Sequence, residues 1–369
     1  MKCNIICKFA FRFDLNMNSL NEKDILALDR LITSCGRATI VAHIRPDGDA
    51  AGSTLALRQF LDFRGVDASV ILPDVLPDTL TFIAEGVPVS RLLSASADQE
   101  VARERIASSD VIFCLDCNSF SRTGVMEQWL RTSSAEKVLI DHHLSPERES
   151  FDLVFSEVEI SSASELLYHI LLALPDINGH ADRLPGISAR ALMTGMTTDT
   201  NNFANSTYPS TFAMASALIA AGVDRDAILS HIYNSYRENR LRLMGYLLYS
   251  VMKITEEGVA LMIIDSKIAS EFDLRDGETE GFVNMPLAIA DVKMSIFLKQ
   301  DEGGFFRVSI RSKRGVSANL MANKYFHGGG HECAAGGKLL LPDDIACPAD
   351  AAAFVKRIST DFFKDNENE

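Results

Sequence analysis

Residues 41–53 read VAHIRPDGDAAGS: an apolar run ends, a histidine follows, and two aspartates stand on either side of one glycine. Two other segments share this form. ATIVAHI (38–44), DVIFCLD (110–116) and KVLIDHH (137–143) are short apolar runs that stop abruptly at acids or histidines. Continuous apolar runs of this length suit strands buried on both faces. Between the first two, AGSTLALRQFLDFRG (51–65) sets Leu55, Phe60 and Leu61 at helical spacing, with Gly65 as the stop. This strand, helix, strand rhythm predicts an α/β fold with a mainly parallel sheet flanked by helices, whose functional groups gather at the carboxyl ends of the strands.

The chain has 369 residues, 47% of them hydrophobic, enough for two domains. Its net charge is −14, from 50 acidic and 36 basic residues, so its overall field repels nucleic acid and anionic membranes; an anionic substrate must be held locally. The seven cysteines follow no regular spacing, which fits reduced thiols in a cytoplasmic protein. Cys114 and Cys117, inside an apolar run, read as small hydrophobes. No stretch reaches the roughly 18 apolar residues of a membrane span. The first helix pattern follows Met17, so residues 1–16 read as an N-terminal extension, without the features of a signal peptide.

Further on, SSASELLYHILLAL (161–174) opens with a capping-box pattern, Ser162 with Glu165, and ISARALMTGMTTDTNNF (187–203) runs from a helix into a polar turn. The stretch after Gly222 is long, charged and helical in character. From about residue 251 strand-like pieces dominate: VALMIID (259–265), VKMSIFLKQ (292–300) and FFRVSIRSK (305–313), the last two joined by a D-E-G-G turn. The expected organisation is a catalytic domain over 17–222, a helical linker over 223–250 and a smaller C-terminal α/β domain over 251–369, ending in the acidic tail DNENE.

If the three apolar strands lie side by side, their ends bring together His43, Asp47, Asp49, Asp116, Asp141, His142 and His143, with Asp199 arriving from a later turn. Carboxylates this close raise one another's pKa and stay ionised together only when cations neutralise them. A carboxylate and imidazole set without thiolate favours manganese or a similar ion over structural zinc. Any one of these residues has an ordinary reading as a helix cap, a turn or a core histidine. The threefold recurrence of the pattern argues against that for the set. His169, His180 and His231 sit in helical or loop contexts, are expected to have no acidic partners nearby and read as structural.

The segments HIRPDGDAAGS, CLDCNSFSRTG, LIDHH and TGMTTDTNNF resemble the four successive motifs of the DHH phosphoesterases. SIRSKRGVSANLMANKYFHGGGHECAAGG resembles the DHH-associated C-terminal domain, and the combination is most similar to the nanoRNase/pAp phosphatase subfamily, which trims very short RNA and dephosphorylates adenosine 3′,5′-bisphosphate. The resemblance implies two divalent ions, most simply manganese. His43, Asp47 and Asp116 would hold one; Asp49, Asp116, His142 and Asp199 would hold the other, with Asp116 shared. His143 would face the substrate phosphate and Asp141 would orient its neighbours. Arg311 would contact substrate in the cleft between domains, with the Gly328, Gly329, Gly330 and His331 loop offering donors ahead of Ala334, Ala335 and Gly336.

Departures from the family pattern are His327 before the glycines, the T-D-T-N-N-F ending of the fourth motif and the variable Arg45; all leave the metal residues untouched. The implied partners are short RNA or nucleotides, with no long duplex and no membrane, and a homodimer is compatible with the sequence. Rival readings are a phosphodiesterase for cyclic di-AMP or pApA and, from another class, a nucleotide-binding protein without catalysis. A pyrophosphatase would lack the glycine-rich domain.

Overall fold

The apolar runs form the centre of a doubly covered sheet in the computed structural model, which describes residues 20–275, 277–301 and 303–366. The extension before Met17, with Cys3 and Cys7, and the last three residues of the acidic tail lie outside the described residues. The chain divides into two compact units, Met1–Asn234 and Ser235–Glu369.

In the first unit, strands β1 (Arg37–Val41), β2 (Asp67–Leu72), β3 (Leu92–Ser94), β4 (Val111–Leu115), β5 (Glu136–Asp141) and β6 (Leu153–Ser156) pair in parallel in the order β3-β2-β1-β4-β5-β6. The helices are α1 (Glu22–Ser34), α2 (Gly48–Phe63), α3 (Gln99–Ala107), α4 (Glu127–Thr132), α5 (Ala163–Ala173), α6 (Gly186–Asp199), α7 (Pro209–Ala220) and α8 (Arg225–Tyr233). Alternate strand residues enter different apolar layers. Ile40, Phe113 and Ile140 join residues of α1, α2, α5 and α6 in one layer, while Val41, Cys114 and Leu139 join Ile106 and Leu130 in the other. Burial on both faces is why these strands read as unbroken apolar runs. The three that were recognisable, β1, β4 and β5, are neighbours, as expected. β2, β3 and β6 were not anticipated.

The order of connection reverses between β1 and β4, and a sheet of this kind opens a crevice at that point beyond the carboxyl ends of its strands. Two glycines let helices close over it. A Cβ on Gly48 would lie 2.2 Å from Oγ1 of Thr198, and one on Gly195 would lie 2.0 Å from Oγ of Ser164 and 2.9 Å from Oδ1 of Asp49. This seam lets the end of α6 reach the ends of the strands.

The second unit holds α9 (Glu238–Tyr246), α10 (Ser266–Glu271), α11 (Ala318–Tyr325) and α12 (Ala351–Asn366) with strands β7 (Lys253–Ile254), β8 (Val259–Ile264), β9 (Met294–Asp301), β10 (Phe305–Ser312), β11 (Gly329–His331) and β12 (Ala334–Leu340). The sheet order is β11-β12-β10-β9-β8-β7, antiparallel except for the β8–β9 pair. Phe306, Val308 and Ile310 of β10 are buried against Met321, Ala322, Val355 and Ile358 of α11 and α12, while Arg307 and Arg311 take the opposite face.

The stretch 223–250 is helical but interrupted: α8 ends before Asn234, α9 begins at Glu238, and the boundary between the units falls between them. Among the described residues, no helix is long and apolar enough to cross a membrane.

Candidate metal centre

Asp116 follows directly on β4 and adopts φ 52°, a left-handed conformation that aspartate tolerates better than most residues. Its N–H donates to the Ile140 carbonyl of β5 at 3.0 Å. The carboxylate is 2% exposed and reaches three imidazoles: Oδ2 lies 3.3 Å from Nε2 of His43, and Oδ1 lies 3.4 Å from Nε2 of His142 and 3.5 Å from Nδ1 of His143.

His43 is fixed from behind. Its Nδ1 is 2.7 Å from the Ile44 carbonyl, which can only accept, so Nδ1 carries the proton and Nε2 faces the acids. The two aspartates of the first motif sit at a helix start rather than in the turn before it, because α2 begins at Gly48, three residues earlier than its apolar spacing suggested. Asp47 is the N-cap: Oδ1 accepts from the amides of Asp49 and Ala50, at 3.0 Å each, while Oδ2 is 3.8 Å from Nε2 of His43. Asp49, 1% exposed, accepts from the first amides of α5, Ala163 at 2.7 Å and Ser164 at 2.9 Å. Two helix N-termini thus point their positive ends at the acids.

Asp199, the last residue of α6, brings Oδ2 to 3.6 Å from Nε2 of His142. Asp141, fully buried at the end of β5, accepts from the His143 amide at 3.0 Å and lies 2.8 Å from its Nδ1, which sets the ring. Donor atoms of His43, Asp47 and Asp116 lie within 4.8 Å of one another, as do those of Asp49, Asp116 and His142 and those of Asp116, Asp141 and His143.

The charge balance of the cluster calls for cations. Burial opposes a charge on His43, yet Asp116 and Asp47 outweigh it and carry the imidazole to about 10; at His142, burial is likewise overcome by Asp116 and Asp199, again to about 10. Burial pushes Asp116 up, but bonds from His142 and His43 hold it well below the usual carboxylate range. Asp49 is pushed well above that range by burial and by Asp116 and Asp199. Burial pushes Asp199 up to about 6, with His142 opposing and Asp116 and Asp47 adding to it. Such a site holds protons that divalent cations would displace. Its donors are carboxylates and imidazoles, while the neighbouring thiols donate elsewhere, Cys114 to the Cys117 carbonyl and Cys117 to that of Ser119. The residues therefore fit hard or borderline divalent ions.

In the second unit, Arg311, Ala334 and His331 form one row across β10, β12 and β11. The glycines before His331 serve the hairpin itself. A Cβ on Gly328 would lie 1.9 Å from the Gly336 carbonyl; the Gly328 amide donates to the Ala322 carbonyl at 3.2 Å, and that of Gly330 to Oδ1 of Asn319 at 2.9 Å. Arg307 pairs with Asp301 at 2.5 Å, and Lys313 donates to the Ile289 and Ala290 carbonyls at 2.8 and 3.0 Å. Arg45 adopts φ 54°, and its amide donates to Asp74 at 2.6 Å.

Sequence reasoning missed the amides of α5 that hold Asp49, although the S-S-A-S-E pattern marks that helix start. Only half of the expected capping box forms. Ser162 accepts from the Glu165 amide at 3.0 Å, but the Glu165 carboxylate turns to Ser161 and Thr211. His169 and His180 have acidic neighbours after all, Glu165 at 3.7 Å and Asp182 at 3.9 Å, and His231 stacks on Phe82 at 4.5 Å.

Residues 37–196 match the model of the DHH family, N-terminal domain, and residues 256–359 that of the DHHA1 domain. The bifunctional oligoribonuclease and PAP phosphatase NrnA of Bacillus subtilis is 27% identical over 304 residues, 82% of this chain and 89% of that protein. The cyclic-di-AMP phosphodiesterase PdeA of Listeria monocytogenes is 29% identical over 202 residues, 54% of this chain but 30% of that protein. A solved structure of an exopolyphosphatase-related protein from Bacteroides fragilis superimposes with a TM-score of 0.84 at 33% identity, covering 93% of this chain and 97% of that one. The chain thus belongs to the DHH family, with a DHHA1 domain following its N-terminal domain.

Proposed function

We propose that this protein is a phosphoesterase that hydrolyses short 5′-phosphorylated oligoribonucleotides to mononucleotides and converts adenosine 3′,5′-bisphosphate to AMP. The observation that carries the reading is the convergence of His43, of His142 and His143 and of the α2 start with Asp47 and Asp49 on the carboxylate of Asp116 at the end of β4. In this reading His43, Asp47 and Asp116 hold one divalent ion, and Asp49, Asp116, His142 and Asp199 hold a second. Manganese is the ion that the donor set favours. Two such ions supply charge neutralisation and a nucleophile at neutral pH for displacement at phosphorus.

The chain's own groups do the remaining work. Asp141 holds the His143 ring so that it faces a substrate phosphate, and Asp47 and Asp49, fixed by helix amides, keep their free lone pairs aimed without reorganisation. Arg311 and His331, aligned across the sheet and held there by the hairpin that Gly328, Gly329 and Gly330 close, supply substrate contacts from the second unit. The match to the Bacillus subtilis relative over most of both chains supports the substrate class. We place the protein in the cytoplasm, in keeping with the free cysteines at 35, 114, 117, 333 and 347.

The partial match to the Listeria protein favours one second reading, hydrolysis of cyclic di-AMP or its linear product pApA. The test compares rates on adenosine 3′,5′-bisphosphate, a three-nucleotide RNA, pApA, cyclic di-AMP and pyrophosphate with manganese present. The fastest turnover is expected on the first two. Fastest turnover on cyclic di-AMP or pApA moves the assignment to the second reading, and no turnover on any of them leaves a nucleotide-binding protein.

A further inference from the structure

Glu165 is a fully buried carboxylate that none of the roles above uses. It lies in the first turn of α5, and its Oε2 accepts from the hydroxyl of Ser161, from the Ser161 amide at 3.3 Å and from Oγ1 of Thr211 at 2.7 Å. His169, one turn further on, sits 3.7 Å from the other oxygen. Burial pushes this carboxyl up, but the His169 ring and the hydroxyls of Ser161, Ser210 and Thr211 around it hold it below the ordinary value, so it is a buried anion. A buried carboxylate is costly and persists where its bonds are made.

Those bonds tie together three segments: the turn before α5, α5 itself and the start of α7. The Ser162 hydroxyl completes the tie by accepting from the Glu165 amide. The two amides just before that of Glu165, of Ala163 and Ser164, are the ones that donate to the two oxygens of Asp49. Gly195, where a Cβ would lie 2.0 Å from Oγ of Ser164 and 2.9 Å from Oδ1 of Asp49, lets α6 pack directly against these groups.

We propose that Glu165 is a positioning residue for Asp49: by fixing the N-terminus of α5 it sets the orientation of the Asp49 carboxylate, and so the affinity of one of the two divalent-cation sites. This rests on the two-cation reading above. Loss of Glu165 then selectively weakens the site that includes Asp49, Asp116, His142 and Asp199, and spares that of His43, Asp47 and Asp116.

The test titrates metal-stripped wild type, Glu165→Gln and Thr211→Val, each as the full chain, with manganese, following free ion and spin coupling between bound ions by electron paramagnetic resonance. Two ions are expected on wild type. Glu165→Gln should bind the first unchanged and the second about 10- to 100-fold more weakly, the usual effect of losing an outer partner of a metal ligand. Thr211→Val, which removes one bond to Glu165 while preserving bulk, should show a smaller selective loss. Equal weakening of both sites, or of neither, overturns the proposal, and Thr211→Val decides by the same criterion if Glu165→Gln does not fold. Wild type binding fewer than two ions overturns the two-cation reading itself.

Discussion

Nε2 of His43 lies 3.3 Å from Oδ2 of Asp116, while the other oxygen of that carboxylate lies 3.4 Å from Nε2 of His142. One side chain therefore serves both histidines, and in the proposed site both ions. Asp116→Asn keeps the volume and removes the charge. Manganese binding at both sites should fall together, and turnover should drop by about 1000-fold or more, reflecting the several kcal/mol that metal ions supply to such reactions. Manganese titration beside steady-state rates checks this. Turnover that survives in Asp116→Ala removes Asp116 from its shared position.

The same pairing sets a pH dependence. An imidazole with a pKa raised by folding lends stability fully below its unfolded value near 6.5 and loses that contribution as the pH rises through its folded value. For His43 and His142 that folded value is about 10, so the metal-free protein should lose this stabilisation between about 6.5 and 10. Metal ions require the neutral rings. Manganese uptake near neutral pH should therefore release protons from both histidines, with apparent affinity climbing toward pH 10 and proton release fading above it. Calorimetry in buffers of different ionisation enthalpy counts those protons; none released near pH 7 means the rings were already neutral.

Gly195 tests whether helix spacing governs the site. Its added Cβ would meet Oγ of Ser164 at 2.0 Å and Oδ1 of Asp49 at 2.9 Å. Gly195→Ala should cost about 1–3 kcal/mol of stability through overpacking and should also weaken manganese binding. Gly65, with φ 80° and nothing within 4 Å, is the control. Its alanine variant should cost about 1–2 kcal/mol through the left-handed backbone and leave metal binding intact. Denaturant melts beside manganese titrations separate the two outcomes.

Much of the site could be read from the chain because each strand that carries it is apolar on both faces and ends at its functional residue. Val41, Leu115 and Ile140 announce the sheet; His43, Asp116 and His142 follow within two residues. β2, β3 and β6 were harder to see. β3 spans only Leu92–Ser94, and β6 is half-buried along most of its length, so neither makes a long apolar run. The support of Asp49 was hidden for another reason. It comes from backbone amides more than 110 positions away, and an amide leaves no trace in residue identity. Glu165 looked like half of a local capping box because the spacing fits one; the fold instead gives its carboxylate to Ser161 and Thr211, the latter 46 positions away.

The second unit offers a test of substrate recognition that leaves the metal residues alone. Arg307 and Arg311 share one face of β10; Arg307 pairs with the Asp301 carboxylate at 2.5 Å, while Arg311 donates to the Ile310 carbonyl at 3.0 Å and aligns with Ala334 and His331. A charged hydrogen bond to a phosphate contributes about 1.5–3 kcal/mol, so Arg311→Ala should lower kcat/KM on a three-nucleotide RNA by about 10- to 100-fold, mainly through KM. Arg307→Ala should have a much smaller effect on KM, since its partner already satisfies its charge. Manganese content should match wild type in both variants. If Arg311→Ala loses metal, the residue belongs to the metal centre's support; if it changes neither KM nor metal content, the substrate phosphate is held elsewhere on this unit.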